Sequence, residues 1–515
     1  MTDLLHEKPH RSWGESARLF FTPKVLAMLF LGFSAGVPLY LVFSTLSVWL
    51  REAGVERATI GFFSWAALAY GFKFVWAPLI DKLPVPVLAR LLGRRRAWLL
   101  VAQVCVIGAL AFMALTDPSR TVTAMALGAV LLAFSSATQD IVIDAYRIES
   151  ADEDLQGLLS ATYIAGYRIG MLVAGAGALE IAGFLDVIEG YDYAAWRSTY
   201  FAMAGVMGIG VLTTLFIAEP TYKNGVADKL NDKGDYARFI ALFILAVLAF
   251  GTVFALWPGL AEHLKGVLGE GLAKFIDGAG RLAASIFAAF VAGSAMVRGG
   301  MVPKALAHET YVAPFADFFK RYGRVALVIL ALIATFRISD IVMGVMANVF
   351  YLDLGFDKQD IGRISKGFGL GATLVGGFVG GLLTVRFGVM RVMVLGAVLV
   401  IATNALFAVM SHMDPLIWVL MVVITADNLA GGIASAVFVA YLSGLTSRGF
   451  TATQYALFSS IMMLVPKLIA GYSGVAVDAV GYAWFFAGSA LIGVVPLILL
   501  LAVAKLTPPV VVKRT

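Results

Sequence analysis

The sequence is a succession of apolar runs, each about 20 residues long, separated by short polar turns, and no other feature restricts its fold so tightly. A hydrocarbon layer of roughly 30 Å admits only structures whose backbone N–H and C=O groups bond to one another, so runs of this length read as membrane-crossing helices. Open sheets are excluded, and the runs are too long for barrel strands of about 10 residues. We place the spans at 25–49, 57–80, 97–115, 121–144, 158–180, 198–217, 238–257, 281–297, 324–350, 361–385, 391–410, 416–444, 452–475 and 482–503, which makes about fourteen crossings. Composition agrees: the chain is 60% hydrophobic and 14% charged, with a mean hydropathy of +0.88, outside the range of soluble domains.

A net charge of +6 raises nucleic acid as a partner, but the basic residues sit in loops between spans and read as topogenic charge; no nucleic-acid partner is expected. Cys105 is the only cysteine, so neither an intrachain disulfide nor a cysteine metal site can form, and it is expected to be a small core residue. The residues through Lys24 hold no apolar core ending in a small-residue cleavage site, so the first span is expected to be retained. An even number of crossings brings both termini to one side. With that side inside, the inner loops hold about 25 Lys and Arg residues against about 9 outside, and both termini are expected to be cytoplasmic.

The halves of the chain echo each other. Trp49–Gly61 at the first outer turn is repeated with one deletion by Tyr351–Gly362, and Asp81 with Arg94, Arg95 and Arg96 at the next inner turn finds a counterpart in Gly381–Gly388 with Arg386 and Arg391. This six-plus-six plan resembles the major facilitator superfamily, whose substrate site lies near the midplane between the halves. The expected fold is therefore all-α and integral to the membrane, with two six-helix halves and two inserted helices. Its expected parts are a cytoplasmic tail at 1–24, a first bundle at 25–217, a linker with an inserted hairpin at 218–323, a second bundle at 324–503 and a cytoplasmic tail at 504–515. The hairpin, spans 238–257 and 281–297, is expected on the periphery, aiding assembly.

Ionisable residues inside spans cost a few kcal/mol on insertion scales, so each is a functional candidate. They are Lys73, Asp140, Asp144, Arg168 and Glu180 in the first half and Arg337, Asp340, Lys366, Asp427 and Lys467 in the second. Asp140, Asp144 and Arg147 share one helix face by spacing. Two carboxylates this close can load and release a proton near neutral pH; equally, they can pair with Arg147, Lys73 or Arg168 and clamp the inner gate. Arg337 and Asp340 are one turn apart and are expected to neutralise each other. Lys73, Arg168 and Lys467 have no such neighbours in sequence, and cations around a midplane cavity suit a substrate bearing carboxylates. Glu180 and Lys366 lie toward the outer ends, where they are expected to reach water. Tyr40, Trp65, Trp76, Tyr163, Tyr167, Phe438, Tyr441 and Tyr455 offer flat rings to a sugar, although packing is the commoner role. The glycines from Gly367 to Gly381 are expected to allow close helix approach.

No Gly-Lys-Ser/Thr phosphate loop occurs, so no ATPase is expected. His6, His10, His263, His308 and His412 all lie in expected loops or tails, which leaves an intramembrane enzyme without its usual base or metal ligands. No cofactor, metal or catalytic residue is expected.

Three segments, Ala137–Arg147, Phe72–Asp81 and Gly93–Trp98, together resemble the AmpG muropeptide permease family, and the likeness extends in pattern over nearly the whole chain. That resemblance implies proton-driven import of N-acetylglucosaminyl-1,6-anhydro-N-acetylmuramyl peptides across the inner membrane of a Gram-negative cell, in cell-wall recycling that feeds beta-lactamase induction and so antibiotic resistance. It further implies gating and coupling roles for Gln139, Asp140, Asp144, Tyr146 and Arg147, and roles for Lys73 and Asp81 on the second span. Arg168, Arg337, Asp340, Asp427, Lys467, Tyr167 and Tyr441 are expected at the substrate site by location alone, and Asp81, Arg94, Arg95, Arg96 and Arg386 at an inner-gate loop. The expected partners are the muropeptide, protons and membrane lipid, with the chain working as a monomer. Two alternatives stay open: a carrier of another bulky anion such as an acyl-CoA, since acetyl-CoA transporters resemble this family distantly, and a sensor that binds muropeptide without moving it.

Overall fold

The computed structural model describes residues 18–506 apart from 57–58, 61–62, 64–67, 187–189, 221–232, 269, 358–359, 362 and 471. Trp65, the side chain of Lys366 and most of both expected tails lie outside the described residues. The described chain is helical, with no strand. The long helices are α1 (Pro23–Glu52), α2 (68–82), α3 (Arg94–Ala114), α4 (Val122–Ser150), α5 (Leu155–Leu185), α6 (Tyr193–Phe216), α7 (Lys233–Leu256), α8 (Glu270–Arg298), α9 (Val325–Asp353), α10 (Arg363–Phe387), α11 (Val389–Met410), α12 (Ile417–Leu445), α13 (Thr451–Ala470) and α14 (Ala476–Leu506). Among the described residues, 11 helices are long and apolar enough to cross a membrane; α2, α7 and α13 are not among them.

Several helices outrun the expected spans. α4 has 29 residues, about 44 Å at 1.5 Å per residue, longer than a hydrocarbon layer of roughly 30 Å, and its last turns carry Arg147 and Glu149. The stretch after α8, expected as a basic loop, is helical over Lys304–Tyr322, because Val312, Phe315, Phe319 and Tyr322 recur at helical spacing opposite Lys320 and Arg321. Cys105, expected in the core, is exposed on α3.

The chain forms two compact units. The smaller contains α7, α8 and the residues from Asp81 to Leu83. There the Trp257 indole and the Leu260 amide both donate to Asp277, at 2.8 and 2.5 Å, while Arg281 covers the Phe254 ring. The larger unit holds the other helices, the two six-helix halves together.

Close backbone approach organises the larger unit. A Cβ on Gly36 would stand 2.0 Å from the Tyr167 carbonyl oxygen, and one on Gly166 1.9 Å from that of Leu29, so α1 and α5 touch backbone to backbone. The expected glycine-rich surface of α10 does the same: Gly376 lies against Leu429 of α12, and Gly381 against Gly157 and Ala161 of α5 in the other half. The end that carries Arg94–Arg96, Arg147, Arg386 and Arg448 is called the arginine-rich end below. At the opposite end of the first half, Trp49 stacks on Trp196 at 5.7 Å, and its indole donates to Tyr191 at 3.0 Å.

Two helices break where they carry cations. α2 tightens to a 3-10 turn over Lys73–Val75. α9 divides into Val325–Thr335 and Ile338–Asp353, with Arg337 non-helical at φ −102° and ψ 4°. Such interruptions free backbone groups within the bilayer and are tolerated where the helix lines protein or a cavity. π turns interrupt α5 at Val173–Gly177 and open α10 at Arg363–Phe368.

Candidate functional site

The helical spacing of Asp140, Asp144 and Arg147 brings them to one side of α4, where the three are buried. Asp144 sits between two cations: Lys73 Nζ at 3.6 Å, from the broken turn of α2, and Arg147 Nη2 at 3.2 Å. Arg147 is fully buried and reaches across the halves. Its Nη1 donates to Ser160 on α5 at 2.9 Å and to Ser443 on α12 at 2.7 Å, and its guanidinium lies 5.1 Å from the Tyr455 ring of α13. Asp140 differs from Asp144. Lys73 and Asp144 are the charges acting on it, but among the described residues no ion pair holds it and its buried Oδ1 has no hydrogen-bond partner. The two carboxylates therefore divide: Asp144 is paired, and Asp140 keeps unused acceptor capacity.

At the arginine-rich end a second network ties the halves. Arg95 is 1% exposed; it donates to both oxygens of Glu149, at 2.9 and 2.6 Å, and to Thr451 Oγ1 of α13 at 2.7 Å. Thr451 in turn donates to Glu149 at 2.5 Å. Arg94 adds a 3.7 Å ion pair to Glu149, and Arg448 meets Asp152 at 3.4 Å across the halves. Arg96 turns away and donates to the Thr214 and Leu215 carbonyls at the end of α6, while Glu219 accepts from the Arg95 and Arg96 amides at the start of α3. Sequence reasoning missed Glu149, Thr451, Ser443 and Ser160. Glu149 is two residues past Arg147 and so on another face of α4; neither it nor the hydroxyls carried a pairing signal. These cross-half bonds close the arginine-rich end.

Farther from that end lies a third group. Arg337 and Asp340 form the ion pair expected from their spacing. Arg168 on α5 faces them from the other half: Arg337, Tyr167, Tyr40 and Asp340 are the groups acting on it. Asp427 accepts from Thr403 at 3.3 Å and lies within reach of Asp340. Other expected residues do not join these groups. Lys467 and Glu180 are exposed, Arg386 is half-buried at the arginine-rich end, and Asp81, in the smaller unit, is buried. Gln139 donates to Ser34 at 3.0 Å and Tyr146 to the Ala218 carbonyl at 2.9 Å, both inside the first half. Tyr441 is buried against Phe438, and Trp76 donates to Thr138 at 3.1 Å. Tyr163 and Tyr167 stand 6.0 Å apart along α5.

Buried charges on facing helices of two halves, closed at one end, describe a carrier. The fold matches FucP, a major facilitator superfamily transporter crystallised in the outward conformation, with a TM-score of 0.58 over 94% of this chain and 99% of that one at 12% identity. The protein thus has the major facilitator fold, and among its described residues 11 helices are long and apolar enough to cross a membrane. The Rickettsia conorii protein named AmpG 4 is 31% identical over 91% of this chain and 94% of its own. The anhydromuropeptide permease of Escherichia coli K12 is 30% identical over 94% of this chain and 80% of its own. The chain belongs to the AmpG permease family. A family profile described as acetyl-coenzyme A transporter 1 also matches residues 24–117.

Proposed function

We propose that the protein imports anhydro-muropeptides from periplasm to cytoplasm by alternating access, driven by protons, as a monomer in the lipid of the inner membrane with both termini cytoplasmic. The observation that carries the substrate is 30% identity, over 94% of this chain, to a protein named as an anhydromuropeptide permease. Proton coupling is supported by the contrast at α4. Asp144 is clamped between Lys73 and Arg147, whereas Asp140 is buried beside them with an unused oxygen. A buried carboxylate without a counter-ion of its own takes up a proton more readily than a paired one. Asp140 then loads the proton and Asp144 anchors Arg147, whose bonds to Ser443 and Tyr455 link proton loading to closure of the arginine-rich end. By this account the closed end faces the cytoplasm. The linker and hairpin at 218–323 are accessory to this cycle, and the bundles at 25–217 and 324–503 are its moving parts.

A second reading, transport of an acyl-CoA-like anion, is favoured by the acetyl-coenzyme A transporter profile over residues 24–117. Uptake of labelled anhydro-muropeptide into proteoliposomes, in competition with unlabelled muropeptide or acetyl-CoA, separates the two. Competition by muropeptide alone is expected; competition by acetyl-CoA alone would overturn the assignment.

A further inference from the structure

The helix over Lys304–Tyr322 belongs to the linker between the bundles, and its place in the chain confines it. α8 ends at Arg298 and α9 begins at Val325, both long and apolar enough to cross the membrane, so the segment between them is held at one bilayer surface by both its ends. Gly323, at φ +54°, turns the chain out of the helix just before α9 starts, and its amide closes the last turn on the Phe319 carbonyl at 2.7 Å. The helix therefore runs at an angle to α9 instead of continuing it. One side packs on the second bundle: Phe318 meets Phe458 of α13 at 5.1 Å, and Arg321 donates to the Leu445 carbonyl at the end of α12, at 3.0 Å, and to Gln454 of α13, at 2.9 Å. These contacts fix the helix at the arginine-rich end. The other side is bare. Val312, Phe315 and Phe319, spaced to share one face, are 48, 39 and 41% exposed, with Ala316 beside them. Lys320 and Arg324 are exposed as well, and among the described residues their side chains make no ion pair and no hydrogen bond.

Open apolar side chains beside unpaired cations, on a helix tethered at the membrane surface, match what an anionic bilayer offers: acyl chains for the one and phosphates for the other. We propose that the outer face of this helix lies in the headgroup layer and binds anionic phospholipid, with Val312, Phe315 and Phe319 at the acyl boundary and Lys320 and Arg324 on the phosphates. A zwitterionic surface satisfies the apolar face but leaves the cations without a net counter-charge. On the packed side, Gln454 takes the Ser447 amide at 2.7 Å as well as Arg321, and Arg448 in the same turn reaches Asp152 of the first half. Seating the helix on lipid thus steadies one side of the cross-half network.

The test needs no substrate, so its outcome is separate from the muropeptide reading. In the full chain carrying Cys105→Ser, a nitroxide is attached at Ala316→Cys, and the protein is reconstituted in vesicles of phosphatidylcholine alone or of phosphatidylcholine mixed with phosphatidylglycerol. Power saturation compares collisions with oxygen, which concentrates in the bilayer, and with a neutral nickel complex that stays in water. The oxygen-to-nickel ratio is expected to be about fivefold or more higher with phosphatidylglycerol than without it. Lys320→Gln together with Arg324→Gln is expected to remove that difference, and about 1 M salt is expected to remove it with no change to these cations. Equal ratios in the two kinds of vesicle, or a difference that persists in the substituted chain or in salt, overturns the proposal.

Discussion

Thr451→Val removes a hydroxyl and keeps the side-chain shape, at the point where α13 joins the Arg95–Glu149 pair of the other half. The hydroxyl accepts from Arg95 at 2.7 Å and donates to Glu149 at 2.5 Å. Hydrogen bonds to charged groups contribute about 1.5–3 kcal/mol each, so the pair of bonds contributes at least about 3 kcal/mol. Both exist only while the arginine-rich ends are together, so the loss falls on the closed state alone. The exposed Arg448–Asp152 contact adds little, whereas Arg147–Ser443 remains. The equilibrium should shift toward opening by roughly a hundredfold. Spin labels at Leu91→Cys and Arg391→Cys, both exposed on opposite halves at this end, report it once Cys105, the single cysteine, is replaced by Ser. Electron–electron resonance is expected to show a longer distance population in Thr451→Val than in the labelled parent. Coincident distributions would refute the idea that this network holds the gate.

Asp144→Asn leaves Lys73 and Arg147 without their shared carboxylate, a loss of about 3–5 kcal/mol for a broken buried pair; thermal melting in detergent should fall by several degrees and uptake should be lost. Gly166→Ala forces a Cβ to 1.9 Å from the Leu29 carbonyl, overpacking that costs about 1–3 kcal/mol or more, and should lower the melting temperature, while Gly183→Ala, with open space around it, should not. Asp117 lies in the turn before α4. Burial raises its pKa, but hydrogen bonds from Ser119 and Tyr191 and the Arg120 charge outweigh it and hold the carboxyl below the usual range. A depressed pKa contributes stability above the unfolded value near 4 and loses it as pH falls through the folded one. Asp117→Asn should therefore flatten the acid limb of stability below about pH 4, read by melting across pH. Asp277→Ala strips the Trp257 and Leu260 donors of their acceptor and should lower folded yield, with uptake per folded molecule retained if the hairpin is accessory.

The succession of apolar runs was enough to place the helices, because each must span the same hydrocarbon layer. Asp144 with Arg147 and Arg337 with Asp340 were legible too, since helical spacing alone makes neighbours of residues three apart. The cross-half network at the arginine-rich end was only half legible. The arginines announce themselves, but Ser160, Ser443 and Thr451 meet them through the packing of separate helices, and serines and threonines are common inside membranes for other reasons. The same limit hid the difference between Asp140 and Asp144, which depends on where Lys73 of α2 comes to rest. The breaks at Lys73 and Arg337 and the π turns at 173–177 and 363–368 have no proline within them to mark them. Lys467 passes every sequence test for a cavity cation; it is exposed, and among the described residues it joins none of the ion pairs above. Cys105 failed likewise, because α3 is apolar on all sides and its pattern cannot separate core from lipid.

Accumulation of labelled anhydro-muropeptide in proteoliposomes with an inward proton gradient, beside the same vesicles without one, tests the central claim most directly, with Asp140→Asn run in parallel. The account predicts accumulation by wild type only under the gradient, and uptake by Asp140→Asn that no longer responds to it. Wild-type uptake that ignores the gradient, or an Asp140→Asn carrier that still concentrates substrate with it, would contradict the account.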